Sequence, residues 1–173
     1  MSNPVLDMNA SELPAVGVLG VGQLAEHMVE GFCTVSARPS LLLSPRSRDR
    51  AAALAKRFSL EIAKDNQTVV NRSDIVILSV PPDQAVDVAS SLSFEERHVV
   101  ICVAAGLKRE PVAKAALPAK TVRAIPSTSA AVRESATPLY PQDDAAATTL
   151  GLLGTVHVFD NEEVFETAAI TAT

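Results

Sequence analysis

The chain has 173 residues, 47% of them hydrophobic and 20% charged, with a formal net charge of −5. That balance is one of a folded protein rather than a disordered one, and the length suffices for one full core, or for one domain and the start of another. The acidic charge excludes a general nucleic-acid binder, and five Phe, one Tyr and no Trp are too few for a base-stacking platform.

Residues 1–12 are polar and lack the basic-then-apolar order of a secretory leader, so they read as an N-terminal tail. Ala15–Leu19 reads as a strand and Leu24–Phe32 as a helix, joined by Gly20-Val21-Gly22-Gln23-Leu24-Ala25. This is the glycine turn of a dinucleotide-binding βαβ unit. Gly20 permits the tight turn, Gly22 lets backbone approach a pyrophosphate, and Ala25 keeps the helix near the strand. Ser40–Leu43 is the next strand, Asp49–Phe58 a helix with Asp49 as its expected cap, and Ile62 part of a short strand. Gln67–Asn71 is a short helix, Asp74–Val80 a continuous apolar strand, and Pro82–Leu92 a helix opened by its prolines. Val99–Ala104 and Thr121–Ala124 read as strands around a helix at Glu110–Ala116. Asp143–Leu153 is helical, Thr155–Phe159 is a last strand, and Glu162–Thr173 begins a further helix.

Apolar strands alternating with helices predict an α/β fold: a Rossmann-type, doubly wound, mostly parallel sheet with helices on both faces. The expected domain spans residues 13–160, and residues 161–173 start a connecting helix. Ligands of such sheets bind beyond the carboxyl ends of the strands, so the loops after Leu19, Leu43, Val80, Ala104 and Ala124 should converge on one cleft. No apolar run reaches the roughly 18 residues of a membrane span. Cys33 and Cys102 read as packing residues, which fits a reducing cytoplasm.

An NAD site usually places Asp or Glu at the end of the second strand, roughly 20 residues past the glycine turn. Here that place reads Ser44-Pro45-Arg46-Ser47-Arg48. Arginines and hydroxyls suit a ribose 2′-phosphate, so the pattern favours NADP over NAD. His27, His98 and His157 have no metal-like spacing, and no metal is expected. The acidic neighbours Glu95-Glu96, Asp143-Asp144 and Glu162-Glu163 read as solvated pairs, and no catalytic acid or base emerges.

These motifs together resemble the N-terminal domain of the pyrroline-5-carboxylate reductases, within the wider coenzyme-F420-dependent NADP oxidoreductase group. The resemblance rests on Val18–Ala25, Ser44-Pro45, Asn66, Asp74–Pro82, Val103–Leu107 and Arg123–Ser129 with Val132–Thr137. Pro81 stands where that family has lysine, and Ser127-Thr128-Ser129 where it has Asn-Thr-Pro. The resemblance implies NADPH-dependent reduction of a cyclic imine, pyrroline-5-carboxylate, to proline. It implies cofactor contacts at Leu19, Gly20, Val21, Gly22, Gln23, Leu24, Ser44, Arg46, Ser47 and Asn66. It extends them to Ser79, Val80, Pro81 and Pro82 and to a nicotinamide floor of Val103, Ala104 and Ala105, with Ser127 and Thr128 on the substrate side. It further implies a helical domain beyond Thr173 that forms a homodimer or larger ring, leaving Val164, Phe165 and Ile170 exposed here. Reduction of another imine or carbonyl, or a non-catalytic NADPH sensor, are the competing readings.

Overall fold

The structure is a computed structural model describing residues 13–171; residues 1–12, the expected tail, and residues 172–173 lie outside the described part. One eight-stranded sheet runs through it in the order β3-β2-β1-β4-β5-β6-β7-β8. The first six strands are β1 (Val16–Leu19), β2 (Leu41–Leu43), β3 (Glu61–Ile62), β4 (Ile75–Leu78), β5 (Val99–Cys102) and β6 (Lys120–Ala124). All six are parallel. β7 (Ser135–Tyr140) pairs antiparallel with β6 and parallel with β8 (Gly154–Val158). The helices are α1 (Gln23–Cys33), α2 (Arg48–Phe58), α3 (Asn66–Asn71), α4 (Pro82–Ser90), α5 (Arg109–Ala115), α6 (Asp144–Gly151) and α7 (Glu162–Thr171).

Alternate residues of each central strand enter different cores. Val16, Val18, Leu43, Ile75 and Ile77 join α1 and α2 on one side. Leu42, Val76, Leu78, Val100 and Cys102 join α3, α4 and α5 on the other. Burial on both faces is why these strands read as unbroken apolar runs. The chain reverses its winding between β1 and β4, so the switch point lies at their carboxyl ends.

Three details depart from the sequence reading. β7 is a strand in a stretch where the sequence assigned no element, despite Pro138 within it; the Pro138 carbonyl accepts from the Ile125 amide at 3.2 Å. A 3-10 helix at Thr128–Val132 packs under α1, where Gly31 leaves no room for a Cβ against the Ala130 carbonyl. Asp49 does not cap α2: it lies in the first turn, and the cap position is Ser47, in the left-handed region at φ 62° with no side-chain cap bond.

His98, buried just before β5, accepts from the Glu95 amide through Nδ1 at 2.8 Å. Burial first, then the Arg97 charge, holds its pKa below the ordinary 6.5, against opposing pulls from Glu95 and Asp74. The unfolded chain therefore takes up this proton more readily than the folded one. The stability is complete above about pH 6.5 and is lost as the pH falls from there through the lowered folded value. Urea midpoints are expected to drop between about pH 7 and about pH 5, and to drop less in His98→Asn, which keeps an acceptor near Nδ1. Identical pH slopes for the two proteins would refute the assignment.

Candidate functional site

The turn after β1 is built by glycine and locked from two sides. Gly20 has φ +85°, and a Cβ there would sit inside van der Waals contact of the Ser79 carbonyl. The Ser79 amide donates to the Leu19 carbonyl at 2.8 Å, so the turns after β1 and β4 are joined at the switch point. From the β2 side, the Gly20 amide donates to Ser44 Oγ at 3.0 Å. Ser44 is fully buried. It stands behind the glycine turn rather than on the cleft surface where a ribose contact was expected, and its hydroxyl already serves the backbone.

Gly22 is the N-cap of α1, with no side-chain cap bond, and among the described residues nothing lies within 4 Å of the place its Cβ would take. Uncapped amides with open space before them are an anion site. This space is a cavity of about 440 Å³ lined by Val21, Gly22, Gln23, Ser47, Arg48, Asp49 and Arg50. Val21 and Leu19 are buried, so they can offer only backbone. Arg50 is engaged by Glu26 at 3.3 Å, whereas Arg46 and Arg48 make no ion pair among the described residues.

Arg46 turns the other way, into a second cavity of about 320 Å³ shared with Asn66, Gln84, Asp87, Val88 and Ser91. Asn66 opens α3 behind Asp65, whose carboxylate accepts from the Thr68 amide and hydroxyl, both at 2.7 Å. Those bonds, the hydroxyl's first, hold the Asp65 carboxyl below its usual range. Among the described residues Asn66 Oδ1 is buried without a partner. A buried amide oxygen with no donor is costly unless a ligand supplies one. Gln84, Asp87 and Ser91 were not anticipated; their spacing of three and four residues, along α4 to its C-cap at Ser91, is the signal that puts them on one face.

At the far end, β4 and β5 stop at Leu78 and Cys102, so Ser79, Val80, Pro81, Val103, Ala104 and Ala105 are loop residues rather than strand ends, and Pro82 opens α4. Val103 and Ala104 are buried, while Ala105 is exposed and lines a third cavity, of about 250 Å³, with Gly106, Ile125, Glu166, Ala169 and Ile170. Ser127, after β6, is half-buried and Thr128 is exposed. The Ser127 amide donates to Ser135 Oγ at 3.0 Å, Ser127 Oγ lies 2.6 Å from Ser129 Oγ, and Ser135 Oγ lies 2.9 Å from Thr137 Oγ1. Two of these four hydroxyls come from the unanticipated β7.

Beneath this end lies the fully buried Arg123 of β6. Its Nη1 bonds to Glu162 at 3.3 Å and to Glu166, and its guanidinium covers the Phe165 ring at 4.8 Å. Glu162 also accepts from the Arg109 amide at 2.7 Å. Glu162 is therefore not one of a solvated pair, although Glu163 is exposed. Phe165, expected at the surface, is fully buried between Phe159 and Tyr140; Val164 and Ile170 are exposed.

The site thus has an open helix terminus at the switch point, two arginines beside it without an ion pair among the described residues, and no carboxylate at the β2 exit. A family model described as NADP oxidoreductase, coenzyme F420-dependent, matches residues 15–106, more than half of the chain. The chain belongs to this family. Soybean (Glycine max) pyrroline-5-carboxylate reductase is 33% identical over 136 residues, covering 73% of this chain and 47% of that protein. A pyrroline-5-carboxylate reductase from Coxiella burnetii superposes with a TM-score of 0.80 at 24% identity, covering 93% of this chain and 64% of that one. The Plasmodium falciparum pyrroline carboxylate reductase with NADP bound superposes with a TM-score of 0.74 at 17% identity, covering 87% and 59%. The chain spans about half the length of the curated relatives it matches. Among the described residues of this family member, no helix is long and apolar enough to cross a membrane.

Proposed function

We propose that this chain is the NADP(H)-binding domain of a cytoplasmic reductase that acts on the cyclic C=N bond of pyrroline-5-carboxylate. The supporting observation is an open, uncapped α1 terminus at Gly22 together with Arg46 and Arg48, which have no ion pair among the described residues, where an NAD site would carry a carboxylate. The residues fit the nucleotide: space is reserved in front of Gly22, and Asn66 Oδ1 is a buried acceptor awaiting a donor.

In this reading, backbone of the Leu19–Leu24 turn holds the pyrophosphate, and Ser44 acts through Gly20 by fixing the turn. Ser47 and Arg48 meet the 2′-phosphate from the cavity at the α1 terminus, Arg46 meets it from the second cavity on the other side of Ser47, and Asn66 lies beside the cofactor in that second cavity. Ser79–Pro82 and Val103–Ala105 border the nicotinamide, and Ser127 and Thr128 face the substrate. NADPH, when bound, supplies the hydride. The protein orients the ring and excludes water from it. Residues 13–160 are the nucleotide domain, and α7 leads into a helical region through which the full protein forms a homodimer or larger ring.

NADPH is expected to bind at least roughly tenfold more tightly than NADH, the scale of one charge-assisted bond to phosphate. Arg46→Ala should remove most of that preference while leaving NADH affinity nearly unchanged. Fluorescence titration of the reduced nucleotides checks both points, and equal affinities in the parent chain would end the NADP assignment.

A further inference from the structure

The third cavity has one charged group in an otherwise apolar lining. Ala105, Gly106, Ile125, Ala169 and Ile170 line it together with Glu166, whose carboxylate is bonded to Arg123. At about 250 Å³ it is smaller than the roughly 300–1,000 Å³ of drug-sized pockets, a fit for a single small ring. It opens where Ala105 leaves β5 and Ile125 leaves β6, on the nicotinamide side of the switch point. The carboxylate does not swing freely. Arg123, fully buried, grips it from behind and grips Glu162 one turn earlier on α7. Phe165 packs against the same guanidinium, so α7 presents Glu166 from a fixed base.

We infer that Glu166 selects a cationic ring: the protonated cyclic imine, or the secondary ammonium that forms once hydride has added to the imine carbon and the resulting neutral amine has taken a proton from water, is held with its N–H toward this carboxylate. The inference rests on the imine-reductase reading and assigns to it a charge preference and a residue. With Arg123 set against both Glu162 and Glu166, the cluster keeps a formal negative charge, which attracts a cation in this apolar lining more strongly than it would in water and offers a neutral isostere no such attraction. A protonated imine carries its charge before reduction, so Glu166 contributes to binding rather than to lowering the barrier. Arg123 is a positioning residue: it sets where the carboxylate sits and touches no ligand.

The test is an amide NMR titration of the full chain, saturated with NADPH, using pyrrolidinium chloride and the neutral ring cyclopentanol. Pyrrolidinium should shift the Ala105, Gly106 and Ala169 amides saturably. Glu166→Gln should weaken it by at least about tenfold, the scale of a charge-assisted hydrogen bond. Glu163→Gln, on the exposed side of α7, should leave it unchanged, and cyclopentanol should not distinguish Glu166→Gln from the parent chain. Equal pyrrolidinium affinity in Glu166→Gln and the parent, or shifts mapping elsewhere, overturns the inference. Should Glu166→Gln fail to fold, Ala169→Leu fills the cavity and keeps the carboxylate; persistence of the pyrrolidinium shifts in that variant is equally fatal. Failure of NADPH to saturate falls on the nucleotide reading alone, and pyrrolidinium is then judged by the same criterion on the unliganded chain.

Discussion

Gly20→Ala should destabilise the domain by about 2–4 kcal/mol, combining a left-handed φ that alanine resists with a clash that side-chain motion cannot relieve. Gly20 lies at φ +85°, and the atoms its Cβ would meet include the backbone carbonyl of Ser79. Relief requires the turns after β1 and β4 to part, which breaks the bond from the Ser79 amide to Leu19 and pulls the Gly20 amide from Ser44 Oγ. Nucleotide binding should vanish with it, because the turn is the cradle. Gly22→Ala is the informative partner. Its Cβ meets nothing within 4 Å, and its φ of −83° is open to alanine. Replacing a glycine N-cap by alanine should cost no more than about 1 kcal/mol. The methyl group nevertheless enters the space in front of the α1 amides. Gly22→Ala should therefore keep its urea midpoint within a narrow margin and lose NADPH affinity. Two glycines two residues apart would then separate, one holding the fold and the other clearing the site. If Gly22→Ala bound NADPH as the parent chain does, the pyrophosphate would not lie against this helix end.

The same turn shows why some of the structure could be read from sequence. β1, the glycine turn and α1 are local. Their signals lie within 18 residues of one another, and each residue's reason for being there is its own backbone geometry or its own helix face. The parallel strands were legible because both of their faces are buried. β7 was not, because Ser-Ala-Thr-Pro-Leu-Tyr has turn chemistry and only pairing with β6 and β8 makes it extended. Ser44 was recognised as a site residue, but its hydroxyl serves Gly20, 24 residues away, and not the cleft directly. Arg46 and Arg48 were read as one basic corner; the left-handed Ser47 near them sends the two into different cavities. Glu166 was invisible for a related reason. Its partner Arg123 lies 43 residues earlier, and the helical pattern of Glu162–Thr171 says nothing about which face meets β6.

Arg123 should prove the most sensitive charged residue in the chain. Its guanidinium is fully buried, yet among the described residues Nε and Nη2 have no hydrogen-bond partner, so the cost of taking it from water is only partly offset by two carboxylates and a phenyl ring. Arg123→Met should still be severely destabilising, because it strands Glu162 and Glu166 against an apolar surface. Breaking a buried pair costs about 3–5 kcal/mol, and with these carboxylates a fifth to a quarter exposed the expectation falls to about 2–4 kcal/mol. The loss should appear first at α7, whose hold on the sheet is this cluster and the Phe165 contact, with early amide exchange there before global unfolding. Adding Glu162→Gln and Glu166→Gln to Arg123→Met should recover a large part of the stability, since neutral amides beside a methionine carry no unpaired charge. Chemical denaturation of the single and triple variants decides it. If the triple variant were no more stable than Arg123→Met, the packing of the guanidinium on Phe165, rather than charge balance, would be what fixes α7 to the nucleotide domain.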